Sequence, residues 1–302
     1  MGRSEKGPVK DPSAAPSPTS RVGSSAHSSG VELGYYLRPL MLSCLPLRKP
    51  PAGGEEWIRS DARAQFRVVP DPTYGMPYGQ DRLVLLLLAT RAMEQNRRRI
   101  ALGSAYEILK WFGLPPDGRN YARLVERFNR VLGSQILCTY GTRRGGERSV
   151  LRRSRIYYQD IRLWTGQRGA GEERTLKHFE NSVMVSKGFW DELFRNPGQA
   201  DMKVVRALAG SAGSLAFYLW LITKSQAVWP DHFLRIPLFG KAGLNERLGA
   251  AGYDQERDFR RRAIGWLARI EELWADCPAE LSDDSESLIV RNAPRFVRVG
   301  QN

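Results

Sequence analysis

Arginines at helical spacing are the side chains of this sequence best placed to do chemistry, and their chemistry is the binding of an anion. Between Asp254 and Asp276, in DQERDFRRRAIGWLARIEELWAD, the apolar residues Phe259, Ala263, Trp266, Leu267, Ile270, Leu273 and Trp274 recur at the period of a helix. The opposite side carries Arg257 and Arg261, flanked by Arg260 and Arg262 and followed by the small Gly265 and Ala268. Asp254 reads as the N-cap. The arginines crowd the first turns, while Glu271, Glu272 and Asp276 sit in the last. That order opposes the helix macrodipole by roughly 0.3–1 kcal/mol per misplaced charge. A guanidinium is a planar fork that fits phosphate oxygens and the guanine edge, and small residues let a backbone approach a groove. The competing reading is a solvated basic face on an ordinary core helix.

A second set repeats the pattern. Tyr121, Leu124, Val125, Phe128 and Leu132 form an apolar face, opposite a stripe of Arg119, Arg123, Arg127 and Arg130. Asn120 stands beside the stripe as an amide reader, and a glycine-rich tip, GTRRGGER, adds Arg143, Arg144 and Arg148. Between Asp117 and Ala170 there are twelve arginines against four carboxylates, so more than half of the chain's net charge of +14 lies in this one segment. A polyanion is the partner such a balance calls for, with nucleic acid ahead of an anionic membrane. The candidate DNA-binding residues are therefore Arg119, Asn120, Arg123, Arg127, Arg130, Arg143, Arg144, Arg148, Arg257, Arg260, Arg261 and Arg262.

Other chemistries find no foothold in the sequence. Cys44, Cys138 and Cys277 are far apart, as are His27, His178 and His232, so neither spacing argues for a zinc site, a disulfide framework or a Cys/His nucleophile. No G-x-x-x-x-G-K-[ST] loop and no G-x-G-x-x-G follows a strand. Tyr157 and Tyr158 resemble a nicking nucleophile, but the histidine cluster that would hold its metal is missing, and they read as strand residues. Asp283 and Asp284, in the polar stretch SDDSES, read as a solvated turn. We expect no enzyme activity, no metal and no cofactor. The apolar runs Leu83–Ala89 and Leu208–Ile222 are short or interrupted, and no signal peptide is recognised. The expected location is the cytoplasm, with no membrane partner.

The elements that must position these arginines follow from periodicity and punctuation. Residues 1–30 hold eight serines, four prolines and four glycines and lack aromatics, so residues 1–54 are expected to be a disordered leader and linker, with Leu33–Leu47 apolar enough to dock on the folded part. From 55 to 186 the chain reads as a strand at Gln65–Val69, a buried helix at Gln80–Gln95, a short strand at Ile100–Leu102 and helices at Ala105–Phe112 and Arg119–Leu132. A hairpin of Gln135–Tyr140 and Ser149–Tyr158 follows, with an extra strand in Thr175–Val185. Asn196-Pro197-Gly198 reads as a domain boundary. From 187 to 302 the order recurs: a long helix at Asp201–Ser225, a strand at Phe233–Leu238, a short helix, the arginine-bearing helix, and a hairpin pairing Leu288–Val290 with Phe296–Val299. The expected fold is α+β and helix-rich, two tandem winged helix-turn-helix domains after the leader.

The stretches YGMPYGQDRLVLLLLATRA and IALGSAYEILKWFGLPPDGRNYARLVERFNRVLGSQI, within Tyr74–Ile136, resemble the plasmid-encoded RepA family of replication initiators. In that family a Gly/Pro turn leads into an apolar helix, a short strand, a helix ending in F/L-G-L and a basic helix. Beyond Lys187 the resemblance rests on FRRRAIGWLARI and a closing hairpin. It implies a protein that binds repeated double-stranded sites at a plasmid origin, helps to open the duplex and recruits the host replicative helicase and initiator proteins. It also implies a homodimer formed through the N-terminal domain. The alternative on the same fold is a transcriptional repressor or partition adaptor acting at its own promoter.

Overall fold

Apolar periodicity and capping residues account for most of the helices. The computed structural model describes residues 31–38, 41, 45–50, 56–60, 64–144, 147–156, 158–162, 181–195, 197–250, 253 and 255–294; within strands, 60, 64 and 138–162 are described by their backbone alone. Leucines and alanines on every side make Arg82–Gln95 (α1) a helix buried almost all round, and Asn96 ends it in the left-handed conformation at φ 46°. Ser104 and Glu107 form a reciprocal capping box that starts Ala105–Trp111 (α2). Asp117 accepts the Asn120 amide at 2.8 Å and starts Gly118–Gly133 (α3).

Strands frame these helices in two sheets. Trp57–Ser60 (β2), Ala64–Val69 (β3), Gln135–Arg144 (β5) and Glu147–Ile156 (β6) form one antiparallel sheet in that order. Arg99–Ala101 (β4) and Tyr158–Arg162 (β7) flank Ser182–Val185 (β8) in the other. The extra strand expected in Thr175–Val185 is thus β8, and 163–180 lie outside the described residues.

Lys187–Arg195 (α4) leads into the second half. The single long helix expected at Asp201–Ser225 is two, Met202–Leu208 (α5) and Ala212–Ser225 (α6). Asp201 caps the first, and Ser211 breaks the run by accepting the Ser214 amide to start the second. Phe233–Pro237 (β10), Leu244–Arg247 (α7) and Glu256–Leu273 (α8) follow. The N-cap of α8 is Gln255, one residue later than expected, and Asp254 lies outside the described residues. The closing hairpin also differs from expectation. Ser287–Arg291 (β12) pairs with Ala279–Leu281 (β11) on one side and β10 on the other, giving the order β10-β12-β11. The Ser282–Ser287 loop closes that hairpin on itself, with the Ser282 amide donating to the Ser287 carbonyl at 2.9 Å. Residues 295–302, the expected partner strand, lie outside the described residues.

The largest correction concerns the leader. Leu33–Leu37 (β1) is an antiparallel strand against Pro197–Asp201 (β9), in register from Leu33 opposite Asp201 to Leu37 opposite Pro197. Tyr36, Leu37, Met41, Leu45 and Leu47 are buried. The Tyr36 hydroxyl shares a 2.9 Å hydrogen bond with Thr223 Oγ1 on α6. A Cβ at Gly198 would meet the Tyr36 ring at 2.1 Å, so this position admits glycine alone without a shift. The polar composition of residues 1–30, which lie outside the described residues, does not extend to this apolar stretch. The expected boundary at Asn196-Pro197-Gly198 falls in part on β9: Pro197 and Gly198 pair with β1, Gly198 and Ala200 are buried, and one apolar cluster runs from Tyr36 through to Val290, while Asn196 lies outside the described residues.

Candidate nucleic-acid interface

On α3 the buried side is Leu124, Arg127, Phe128 and Val131, spaced i, i+3, i+4 and i+7. Arg127 and Arg130 therefore do not belong to a solvent-facing stripe, and both are corrected from the expected DNA contacts. Arg130 grips the buried Asp81 through Nε at 2.7 Å and an Nη at 3.0 Å and lies over the Tyr78 ring at 4.9 Å. Arg127, buried to 6% exposure, donates to Gln80 Oε1. Burial pulls its guanidinium pKa below the ordinary value. Asn120 is also engaged: its carboxamide donates to the Pro115 carbonyl at 2.9 Å and to Asp117 at 3.3 Å, closing the turn before the helix. Arg119, Ala122 and Arg123 are exposed, and Val125, expected on the apolar face, is 39% exposed.

The hairpin that follows α3 is formed by β5 and β6, whose register sets Arg143 opposite Arg148 and Arg144 opposite Glu147. The side chains of these three arginines lie outside the described residues, as does Tyr157.

On α8, Phe259, Ala263, Leu267 and Ile270 face the core. Trp266 is half-buried, edge-on to Phe259 and Tyr253, and rests where Gly213 of α6 lacks a side chain: a Cβ there would lie 2.2 Å from the indole. Arg257, Arg261 and Arg262 are exposed, Arg261 by 75% of its side chain. Gly265 opens to solvent, with nothing within 4 Å of a Cβ built on it, and Ala268 beside it is exposed. Glu256 and Asp258 temper the adverse charge order, because they sit in the first turn and pair with Arg260 at 2.5 Å and Arg261 at 3.2 Å. The Arg261–Asp258 pair is exposed, and such pairs contribute about 0–1 kcal/mol, so a phosphate can displace the carboxylate. Arg260 is more enclosed, with Glu286 3.7 Å from its second side.

Glu286 belongs to the β11–β12 turn, which is acidic where the β5–β6 hairpin is basic. The Ser282 hydroxyl and the Glu286 amide hold the Asp284 carboxyl below its ordinary pKa, and Arg235 lies 3.2 Å away. The Asp284 carboxylate is thus engaged within the turn and with Arg235. No group of metal-binding side chains occurs among the described residues, and none of their helices is long and apolar enough to cross a membrane.

Sequence reasoning missed the residues that hold α3 in place. Tyr78 falls in the turn before the helix expected at Gln80–Gln95, and Gln80 and Asp81 in its first turn, with no role assigned to any of the three. The signal was present in the i, i+3, i+4, i+7 spacing, which puts an arginine among Leu124, Phe128 and Val131.

No family model matches the chain, and no curated protein matches it in sequence. The resemblance to RepA initiators therefore rests on the motifs quoted above. Among solved structures, a crystal structure of selenomethionine derivatives of domains 2 and 3 of RctB is similar at 12% identity, with a TM-score of 0.55, over 82% of this chain and 94% of that one. Another crystal structure of RctB domains 2–3 is also similar at 12% identity, with a TM-score of 0.47, over 83% and 94%. At this identity the first of these likenesses shows a shared fold.

Proposed function

We propose that this chain is a replication initiator that binds repeated double-stranded sites at a plasmid origin through two tandem winged-helix units. The observation that carries the reading is the outer face of α8, where Arg257, Arg261 and Arg262 stand exposed around the open Gly265. It occupies the place of a reading helix in the order helix, strand, helix, helix, hairpin. The fold shared with domains 2 and 3 of RctB is compatible with this reading. The net charge of +14 supports a polyanionic partner. On α3 the contacts fall to Arg119 and Arg123, joined by Arg143, Arg144 and Arg148 of the hairpin. On α8, Arg257, Arg261 and Arg262 take the groove, with Arg260 held back by its carboxylates. The protein acts by binding, without catalysis, in the cytoplasm, as a homodimer that opens the duplex and recruits the host helicase.

Selection of duplexes from a random library by the full chain tests this reading. A recurrent sequence bound far more tightly than scrambled DNA, with affinity that falls steeply with salt, is the expected result. Binding without sequence discrimination, or no binding, contradicts it.

A further inference from the structure

The two basic helices are not joined by apolar packing alone. A line of directional polar contacts runs between them. On α3, Arg127 and Arg130 are held by Gln80 and Asp81 of the turn at residues 78–81. The other end of the Gln80 carboxamide donates to the Ala209 carbonyl at 2.7 Å, just before α6. The same turn clasps the segment at 45–48. The Gly79 amide donates to the Pro46 carbonyl at 2.9 Å, and Arg82 donates to the carbonyls of Gly79 at 2.8 Å and Leu45 at 2.5 Å. That segment then reaches the second unit. The Leu47 amide donates to the Gly249 carbonyl at 2.8 Å, where the chain turns out of α7 at φ +70°. A Cβ on Gly249 would lie 2.7 Å from the Leu45 carbonyl. Arg48 lies 3.8 Å over the ring of Tyr253, which packs edge-on against Phe259 and Trp266 of α8. From α3 to Tyr253, then, each link is a directional polar contact with a named partner, and the Tyr253 ring completes the line by packing edge-on against α8.

Resting on the reading of this chain as a DNA-binding initiator, we infer that residues 45–48 and the turn at 78–81 set the relative placement of α3 and α8, so that the chain reads a bipartite duplex site at one fixed spacing. Apolar packing alone leaves room for small sliding, as in shear motions between packed helices. Hydrogen bonds weaken steeply when bent or stretched, so the polar line specifies an orientation that the apolar core does not. Arg127 fits this role: a guanidinium on the buried side of α3 costs desolvation, and its partner Gln80 is the residue that reaches the second unit. DNA supplies the matching constraint, because inserting half a helical turn between two contacted segments moves one to the opposite side of the duplex. Gln80 and Arg48 are positioning residues here, not DNA contacts.

The test starts from the duplex selected by the full chain and inserts up to about five base pairs between its two protected segments, about half a helical turn. Binding is measured for the wild type and for Gln80→Leu and Arg48→Ala. Losing simultaneous engagement should cost the wild type about a hundredfold at half a turn. Both variants should keep their affinity for random DNA and for each isolated segment, while the insertion penalty shrinks several-fold. Should Gln80→Leu fail to fold, Arg48→Ala, at the exposed end of the line, carries the test alone. A merely structural role would lower stability and leave the spacing profile unchanged. A wild type indifferent to insertion, or variants with its full penalty, would overturn the inference and leave DNA binding standing. A chain that binds no DNA would overturn both.

Discussion

Asp81 and Arg130 form a bidentate pair between the start of α1 and the last turns of α3, with 2% and 14% of their side chains exposed. The carboxylate also accepts the Tyr78 amide at 3.0 Å, so one buried charge closes a turn and fixes a helix. Removing one member of such a pair leaves an uncompensated charge in the interior. Asp81→Asn should therefore lower unfolding free energy by about 3–5 kcal/mol. Urea denaturation followed by circular dichroism measures this. In the folded fraction of an Arg130→Ala variant, the salt dependence of DNA binding should match the wild type, because Arg130 touches no phosphate; a smaller slope would return it to the interface.

The open flank of α8 gives an opposite pair of outcomes at one position. Gly265→Ala meets nothing within 4 Å, so it should stabilise the free protein by about 0.5–1 kcal/mol through helix propensity. Gly265→Gln should leave the fold intact and abolish tight DNA binding, since its side chain fills the approach. Arg261→Ala should weaken the selected site by about 1–3 kcal/mol and relax preference at one base pair. Thermal melts and binding to selected and scrambled duplexes separate these effects.

Gly213 and Trp266 fix how α6 and α8 cross. Gly213→Ala puts a methyl 2.2 Å from the Trp266 indole, and it should destabilise the protein by about 1–3 kcal/mol. Trp266→Ala in the same chain should recover part of that loss, because the clash disappears. Additive losses in the double-mutant cycle would contradict the contact.

The helices and most strands were legible from the sequence because their signals are local. Asp117 before α3, Ser104 with Glu107 at α2, and the apolar period of α8 each act within a turn or two of their own residues. The pairing of β1 with β9 was not legible: Leu33 and Asp201 are joined across the fold, and only the apolar letters of Leu33–Leu47 hinted at docking. The role of Arg127 and Arg130 was lost for a different reason. Charge outweighed periodicity in reading the helix, although the position of Arg127 between Leu124 and Phe128 points inward. The turn at SDDSES was legible, but not the short strand Ala279–Leu281 before it, so Leu288–Val290 was paired with residues further along the chain.

Truncation tests the leader. Deleting residues 1–50 removes β1 and the buried Tyr36, Leu37, Leu45 and Leu47, and the remaining chain should fail to give a cooperative unfolding transition. A well-folded 51–302 fragment would contradict the strand pairing.

Alkaline titration tests the same region from the inside. Burial pushes the Tyr36 hydroxyl up from its ordinary value near 10 to about 12, against the opposing effect of the hydrogen bond it shares with Thr223, and burial raises Tyr218 as well. Between these two values the unfolded tyrosine gives up its proton while the folded one keeps it. Unfolding gains, so stability should fall as pH rises from about 10 to about 12. Tyr36→Phe should cost about 1 kcal/mol at neutral pH and flatten part of that decline, as read from urea midpoints across the window. An unchanged alkaline slope would place Tyr36 in contact with solvent.

The most direct measurement of the central claim is plasmid maintenance. A plasmid whose origin carries the selected repeats, and which encodes no other initiator, is placed in cells supplied with the wild-type chain or with a variant carrying both Arg257→Ala and Arg261→Ala at equal expression. Stable replication is expected with the wild type and loss of the plasmid with the variant. Replication that persists with the variant would contradict it. So would failure of the wild type to support replication while it silences a promoter beside the repeats, the behaviour of a repressor or partition adaptor.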